Sequence, residues 1–244
     1  MFGIVPGLWG GGLPDPHDNS FANVALLFHF DGANNANSIG DSSSHGFGVN
    51  VGANTVTTSD QIKFGNASVL CNNPSTVKQT GSLTVNDNAA FTLGTSDFTV
   101  EFFAYFLDSG TARWLCGQSD AGVSNANTSL ALQRTTGNKI RALTCNGANV
   151  LCDISSANTA ASNAWHYIAF TRQGANFTLF LNAITENSAS SNLAVNDSTF
   201  TFGIGCVSSA ANELYGYMDE FRLTVGVARD VANIGVPTSA FPNA

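Results

Sequence analysis

The stretch GYMDEFRLTVGVARD, residues 216–230, places two adjacent carboxylates inside an alternating run of apolar residues. Alternation with a period of two is typical of a β-strand, in which successive side chains point to opposite faces. The pattern predicts that Met218 is buried from one side and that Phe221, Leu223 and Val225 are buried from the other. The stretch is therefore predicted to be a strand near the end of a β-sandwich.

The same alternation limits what Asp219 and Glu220 can do. Because neighbours on a strand point to opposite faces, these two carboxylates cannot flank one glycosidic bond as acid and nucleophile. Glu220 is predicted to pair with Arg222 on the solvent side. Beyond this strand the chain is expected to fold back over the sheet edge, where Pro237 and Pro242 keep it from pairing as a free edge strand.

Period-two patterns recur along the chain from Phe21 onward, separated by clusters of Gly, Asn, Asp and Ser. They are NVALLFHF (23–30), DFTVEFFAYF (97–106), SLALQRTTGNKIRALTC (129–145), AWHYIAFTRQGANFTLFLNA (164–183) and STFTFGIGCV (198–207). No segment keeps a helical period, so any helices are expected to be single turns. The fold class predicted is all-β, an antiparallel β-sandwich of two packed sheets.

The first 20 residues differ from this body. They combine three consecutive glycines and three prolines with apolar side chains, which is typical of an extended arm on a flexible hinge. The predicted domains are an arm over residues 1–20 and a sandwich over residues 21–244. The arm is expected to pack on its own sandwich or to dock on a partner through its large apolar side chains, Phe2, Ile4, Leu8 and Trp9.

Composition excludes several classes of function. Of the 244 residues, 43% are hydrophobic and only 11% are charged, and the formal net charge is -8. A chain of this size can bury a core without a metal or a disulfide. With three lysines and a negative net charge it offers no basic surface to nucleic acid. No apolar run approaches the roughly 18 residues needed to span a bilayer, so no membrane partner is expected.

The cysteines and the N-terminus indicate where the protein is made. The cysteines are odd in number and form no C-x-x-C pair, and the N-terminus lacks the charged and apolar regions of a signal peptide. Reduced, buried thiols in a protein made in a cytoplasm are therefore expected at Cys71, Cys116, Cys145, Cys152 and Cys206.

An ordered set of motifs runs along nearly the whole body. These are HFDG (29–32), DSSSHG (41–46), KFGNASVLC (63–71), DFTVEFFAYF (97–106), WHYIAFTRQGANFTLFLNA (165–183) and the opening stretch. In order and spacing the set resembles the laminin-G-like jelly roll of the concanavalin A-like lectin/glucanase superfamily. The closing GVARDVANIGVPTSAFP (226–242) more particularly resembles versions found in tailed-bacteriophage virion proteins. That resemblance implies a component of a virus particle.

The superfamily that this chain resembles includes glycosidases that carry an E-x-D-x-E triplet along one strand, which places three carboxylates on one face. The four glutamates of this chain begin or end no such triplet, and its histidines are scattered. The protein is therefore expected not to be an enzyme.

Glycan binding remains open on the sequence. Glu101 shares a strand face with Phe103 and Tyr105, and an aromatic face can stack on a pyranose ring. Candidate glycan-binding residues are Glu101, Tyr105 and Trp114, with Tyr215 also available. The alternative for Glu101 is an ordinary charged residue on the solvent side of a half-buried strand.

The resemblance also implies a calcium ion at the rim of the sandwich, held by Asp31 and Asp219, with Asp41 a weaker candidate. Calcium takes six to eight oxygens, so two carboxylates would need carbonyls and waters beside them. The alternative, which we favour, is that Asp31 caps a turn with Gly32 and that Asp219 accepts hydrogen bonds from a neighbouring loop. On that interpretation no cofactor is required.

Two functional hypotheses follow. The first is a bacteriophage virion structural protein, a capsid decoration or a tail- or fibre-associated module. It would be made in the host cytoplasm and attached through its arm to other virion proteins or to a second copy. The second is a lectin-like module that binds a host surface glycan.

Overall fold

A computed structural model of the protein describes residues 18–77, 81–208 and 211–244. The strands are β1 (Val24–Phe28), β2 (Val49–Val51), β3 (Thr55–Thr58), β4 (Ser68–Asn72), β5 (Leu83–Val85), β6 (Phe98–Phe106), β7 (Arg113–Gln118), β8 (Leu130–Arg134), β9 (Lys139–Cys145), β10 (Val150–Thr159), β11 (Trp165–Gln173), β12 (Asn176–Leu181), β13 (Ile184–Ser190), β14 (Phe202–Ile204) and β15 (Tyr215–Val225). The helical elements are 3₁₀ turns at Phe21–Asn23 and Ala89–Phe91 and the single turn α1 (Val231–Ile234).

The strands form two antiparallel sheets. The eight-stranded sheet has the order β13-β12-β11-β6-β15-β4-β3, and β1 also pairs with β15. The seven-stranded sheet has the order β10-β9-β8-β7-β14-β5-β2. This confirms the predicted all-β sandwich, whose helices are single turns in the described part of the chain.

The core lies between the two inner faces. Phe98, Phe102 and Phe106 from β6 and Phe170 from β11 are fully buried in it, and the rings of Phe98 and Phe170 meet edge-on. Because side chains alternate along β6, the odd-numbered residues of this strand point to the outer face of the eight-stranded sheet. That outer face carries a second apolar cluster that includes Phe103.

β15 is the strand that interrupts the regular alternation. On one side it pairs with β6, while on the other residues 215–218 pair with β4 and residues 221–224 pair with β1. At the change of partner the register shifts between Asp219 and Arg222, which is a β-bulge. The bulge shifts the alternation of side chains between the two faces by one residue, so Met218 and Phe221 both lie in the inner core. The prediction that they are buried from opposite sides is therefore wrong.

The chain after β15 crosses the outer face of the eight-stranded sheet, whereas the sequence predicted a path over the sheet edge. Val231 and Phe241 are 2% and 4% exposed and pack in the outer cluster with Phe103 and Tyr167. The physical reason is that this face is apolar and gains from being covered. We refer to residues 231–244 as the tail.

The five cysteines are free and buried, as the sequence predicted. Burial disfavours the thiolate and raises the pKa of Cys152 to about 12. Within the described ranges, no helix has the length and apolar character needed to cross a membrane.

Candidate functional site

Glu101 lies on the outer face of the eight-stranded sheet, but it is only 2% exposed. Its carboxylate accepts hydrogen bonds from Arg222 Nε and Nη2 at 3.0 and 2.8 Å and from the Tyr167 hydroxyl. The alternative prediction, a charged residue on the solvent side of a half-buried strand, is therefore wrong. The apolar tail and the neighbouring arginine enclose the side chain.

Glu101 belongs to a buried ion cluster that also contains Asp18, Arg222 and Arg229. Asp18 Oδ2 lies 2.9 Å from Arg222 Nη1 and 2.6 Å from Arg229 Nη2. Burial opposes ionisation of Asp18, but the hydrogen bonds and charges of its partners outweigh it and hold its pKa below the usual value. Two guanidinium groups and two carboxylates balance in charge, so the cluster is saturated by its own members.

A cavity of about 230 Å³ lies between this cluster and the tail. The Phe241 ring covers the Arg222 guanidinium at 4.0 Å from the ring centroid. The charged residues of its floor are already paired, and the tail residues that form its roof are mostly apolar, with hydroxyl groups only at Thr238 and Ser239 among the described residues.

Tyr105 lies further along β6 on the same outer face. Its ring makes edge contacts with Trp165 and Tyr217, each at a centroid distance of 5.7 Å. Tyr215, the other available tyrosine, lies with its ring 6.0 Å from the Arg113 guanidinium. Tyr105 therefore packs mainly against other aromatic rings, and Tyr215 packs near a protein cation.

Asp219 and Glu220 both serve local structure. Asp219 Oδ2 accepts hydrogen bonds from the backbone of Lys63 and Phe64 at 2.9 and 3.1 Å, as the favoured alternative predicted. Burial raises the pKa of Asp219 to about 8 despite these amides. Glu220 is fully buried and its carboxylate lies 2.9 Å from His29 Nδ1.

The predicted solvent-side pair between Glu220 and Arg222 is wrong, because the bulge sends these side chains to different partners. Glu220 accepts from the backbone of Phe241 at 2.8 Å in addition to its contact with His29. Arg222 instead joins the buried ion cluster.

The remaining metal candidates are also occupied by protein donors. Asp31 Oδ1 accepts hydrogen bonds from the backbone of Asn66 and Ala67 at 2.6 and 3.4 Å, so it braces the loop before β4. Asp41 accepts from the backbone of Leu27 at 3.0 Å, as well as from its own loop. Among the residues that the structure describes, no three His, Cys, Asp or Glu side chains are grouped so as to hold a metal ion.

The outer face of the seven-stranded sheet carries a groove of about 370 Å³ around Trp114. We call it the Trp114 groove. It is lined by Trp114, Ala121, Gly122, Val123, Gln133, Arg141, Leu143, Ala211 and Asn212.

Sheet register builds the floor of the Trp114 groove. Trp114 of β7 lies opposite Gln133 of β8, which lies opposite Arg141 of β9. Because one register row crosses three neighbouring strands, these side chains stand side by side on one face. Trp114 packs beside Leu143. Because Trp114 is only half-buried, part of its side chain stays open to the groove.

The polar groups of the groove are unevenly occupied. Arg141 donates to Asp153 through Nε at 2.6 Å and Nη2 at 2.7 Å. By contrast, the side-chain amides of Gln133 and Asn212 and the indole N–H of Trp114 bond to no side chain or backbone group among the described residues. Those amides and the indole are available to a ligand.

One wall of the groove is a short loop held by Asp120. Its carboxylate accepts hydrogen bonds from Asn127 Nδ2 at 2.8 Å and from the backbone and hydroxyl of Ser124 at 2.8 and 2.7 Å. The hydrogen bond from Asn127, helped by those from Ser124, holds the pKa of Asp120 below its usual value. The loop that carries Val123 is thereby fixed beside the Trp114 ring.

A larger groove of about 420 Å³ crosses β11, β12 and β13 on the other sheet. Half of its described lining residues are Thr, Ser, Gln or Asn, it also contains Arg229 and Asp230, and its aromatic residue, Phe180, is only 7% exposed. It therefore lacks the open aromatic face that the Trp114 groove has.

Of the predicted glycan-binding residues, only Trp114 lines the Trp114 groove. Glu101 and Tyr105 lie on the outer face of the opposite sheet, so the structure does not bring the three together. Sequence reasoning missed Gln133, Arg141 and Asn212. The first two alternate with core residues in the segment LALQR and in KIRALTC, which was the available signal.

The fold and the sheet topology define a two-sheet jelly roll. A family model described as concanavalin A-like lectin/glucanases superfamily, of the laminin G type, matches residues 57–227. This is well over half of the chain, and the chain therefore belongs to that family. Comparison with curated protein sequences gives no match.

Several solved structures share the fold. The binding domain of Paraclostridial Mosquitocidal Protein 1 has a TM-score of 0.67 at 17% identity, covering 88% of this chain and 52% of that one. The ligand-binding domain of botulinum neurotoxin serotype D, in complex with N-acetylneuraminic acid, gives 0.60 at 13% identity, covering 88% and 52%. Domain 4 of AbnA, a GH43 extracellular arabinanase from Geobacillus stearothermophilus, in complex with arabinotriose, gives 0.60 at 13% identity, covering 87% and 98%.

At these identities the similarity concerns the fold. The chain spans about half the length of the toxin binding domains that it matches. The resemblance to bacteriophage virion proteins stays a prediction, as does the location in a virion. The arm residues predicted to bind a partner, Phe2, Ile4, Leu8 and Trp9, lie outside the described residues.

Proposed function

We propose that the chain is a glycan-binding module and that the Trp114 groove is its binding site. The observation that carries the proposal is the half-buried Trp114 ring beside the side-chain amides of Gln133 and Asn212, which have no hydrogen-bond partner within the described ranges. A pyranose ring has an apolar face of C–H groups and a rim of hydroxyls. An aromatic face and amide groups that both donate and accept match these two features together.

The comparisons support this proposal without locating the site. Two structures with the same fold were solved with carbohydrate, one with N-acetylneuraminic acid and one with arabinotriose. The superfamily to which the chain belongs is named for lectins as well as glucanases. A binding function therefore suits the fold, and the Trp114 groove supplies suitable chemistry in this chain.

We further propose that the groove binds glycan without cleaving it. Glycoside hydrolysis commonly needs two carboxyl groups on either side of the scissile bond. Among the described residues, none that lines the groove is Asp or Glu. The nearby carboxylates of Asp120 and Asp153 are held by hydrogen bonds from protein groups.

The test is a glycan array followed by calorimetry with the best ligand, comparing wild type with Trp114→Ala. We expect the affinity to fall by at least about tenfold, because the stacking surface is lost. Trp165→Ala is the matched control, since Trp165 is also half-buried but lies on the outer face of the other sheet.

Unchanged affinity in W114A would rule out this groove as the site. An equal loss in both tryptophan variants would indicate a general effect on the fold. No saturable binding of the wild type to any glycan would overturn the proposed function itself.

A further inference from the structure

We infer that the Trp114 groove selects neutral glycans, and that Asp153 is the residue that excludes acidic ones by occupying Arg141. The inference rests on the proposed function and names the class of ligand that the groove takes. Arg141 is the one cation among the described residues that line the groove. Whether the Arg141 guanidinium is free or already paired therefore decides whether the groove can recognise a carboxylate or a sulfate.

The geometry shows that Arg141 is already engaged. Asp153 on β10 accepts from Nε of Arg141 at 2.6 Å through one oxygen and from Nη2 at 2.7 Å through the other. This is the bidentate arrangement in which a guanidinium recognises a carboxylate. A ligand carboxylate would need the same donors, so it would have to displace Asp153 or bind elsewhere.

The other charged groups near the groove do not attract an anion into it. Asp120 directly precedes the Ala121–Val123 wall in the chain and adds negative charge. Lys139 lies two residues before Arg141 on the same strand face and does not line the groove. With a formal net charge of -8 on the whole chain, the surrounding field also opposes anions.

The groups left open in the groove are uncharged. They are the indole of Trp114 and the amides of Gln133 and Asn212, which suit hydroxyl and N-acetyl groups. The described residues of the groove thus present a neutral surface, because the guanidinium of Arg141 is neutralised by Asp153.

We expect that Asp153 can be changed without unfolding the protein. The side chains of Arg141 and Asp153 are 31% and 42% exposed, and pairs in such positions contribute little to stability. Specificity is a difference between two affinities and can be set by an element that disfavours the wrong ligand. Asp153→Asn keeps the shape of the side chain and removes the charge that holds the guanidinium.

The experiment uses matched oligosaccharides that differ only in a carboxylate, such as a form with a terminal uronic acid and the form with the corresponding hexose. Wild type, D153N and W114A are titrated with each member of the pair. Asp60→Asn is the charge-matched control, because Asp60 is exposed and follows β3 on the other sheet.

We expect wild type and D60N to prefer the neutral member. D153N is expected to gain about tenfold or more for the acidic member, because one charge-assisted interaction becomes available. In the double variant Arg141→Gln, Asp153→Asn that gain should vanish. Circular dichroism and retained binding of the neutral member show that D153N is folded.

The possible results separate the two proposals. If wild type binds acidic glycans in a way that W114A abolishes, or if folded D153N gains no acidic affinity, the inference on specificity is overturned and the binding function stands. If wild type binds neither member, or if W114A binds both as well as wild type does, the proposed function of the groove fails and the inference fails with it.

Discussion

Glu220 occupies an unusual backbone position for a buried charged residue. Its φ is 51°, in the left-handed region that favours glycine, and its side chain is fully buried. The position is held because the carboxylate receives both the His29 imidazole and the backbone N–H of Phe241. His29 in turn lies 2.8 Å from Asn243 through its other ring nitrogen. These contacts link the bulge of β15 to the tail.

The contact between His29 and Glu220 makes the stability of the fold depend on pH. Burial opposes protonation of His29, but the hydrogen bond and the charge of Glu220 outweigh it, so its pKa lies above the usual value of 6.5. The folded state therefore binds this proton more tightly than the unfolded chain does. The stabilisation is fully present below about pH 6.5 and is lost as pH rises through the folded pKa.

We expect the free energy of unfolding to decrease between pH 6 and pH 9, measured by urea denaturation at a series of pH values. Asp219 acts in the same direction, since its pKa is raised to about 8 and its buried carboxyl group must ionise as pH increases. His29→Gln should remove the part contributed by His29, and Asp219→Asn the other part. A flat profile for wild type over this interval would contradict both assignments.

Sequence alone could not predict these residue contacts. The alternation in YGYMDEFRLT correctly indicated the strand, which the structure places at Tyr215–Val225. The exchange of β4 for β1 beside it depends on pairing partners more than 140 residues earlier in the chain, which the local pattern does not contain. The bulge and the left-handed Glu220 follow from that exchange.

At the scale of elements, the hairpins were the most predictable part. The segments AWHYIAFTRQGANFTLFLNA and SLALQRTTGNKIRALTC fold as β11–β12 and β8–β9, and the turns between the strands contain Gly174 and Gly137. Local alternation and turn chemistry act there between neighbours in sequence. STFTFGIGCV, by contrast, contributes only the three-residue β14, Phe202–Ile204.

The loop between β3 and β4 shows how an element can depend on one glycine. Gly65 has φ 64°, and a Cβ added there would lie 2.0 Å from Asp31 Oδ1. The same loop is held by Asp31 through Asn66 and by Asp219 through Lys63. A side chain at residue 65 would thus strain the backbone and displace the carboxylate that braces the loop.

We expect Gly65→Ala to reduce the free energy of unfolding by about 2–4 kcal/mol, as measured by denaturant titration. Gly46→Ala is the matched control, because Gly46 has φ 57° but no atom within 4 Å of an added Cβ. The control measures the loss in free energy of unfolding that comes only from placing alanine at a positive φ, for which we expect about 1 kcal/mol. Equal losses in the two variants would show that the Asp31 contact is unimportant.

At the scale of the whole molecule, the two outer faces differ in character. The tail covers the apolar centre of the eight-stranded sheet, while the seven-stranded sheet keeps its Trp114 groove open. Trp114 was identified from the sequence as an available aromatic residue. Its neighbours Asn212 and Val123 come from distant loops, and only the folded topology brings them to it. Residue types therefore suggested the chemistry of the site, and the tertiary fold determined which residues compose it.

We expect Phe241→Ala to lower the free energy of unfolding by about 3–4 kcal/mol, because it removes a ring that is 4% exposed and covers Arg222. Ile234→Ala in the same tail should cost less than about 0.5 kcal/mol, since Ile234 is 65% exposed. Both are measured by chemical denaturation. Affinity at the Trp114 groove should stay unchanged in F241A, and a loss there would show that the two faces are coupled.

The two ends of the described chain meet, because the backbone N–H of Asp18 donates to the carbonyl of Ala244. Both ends lie on the outer face of the eight-stranded sheet, beside Arg222 and Arg229. The Trp114 groove faces the opposite way. A particle or surface that holds the molecule by residues 1–17 would therefore present the groove outward, and many copies on one support would display their grooves as a single array.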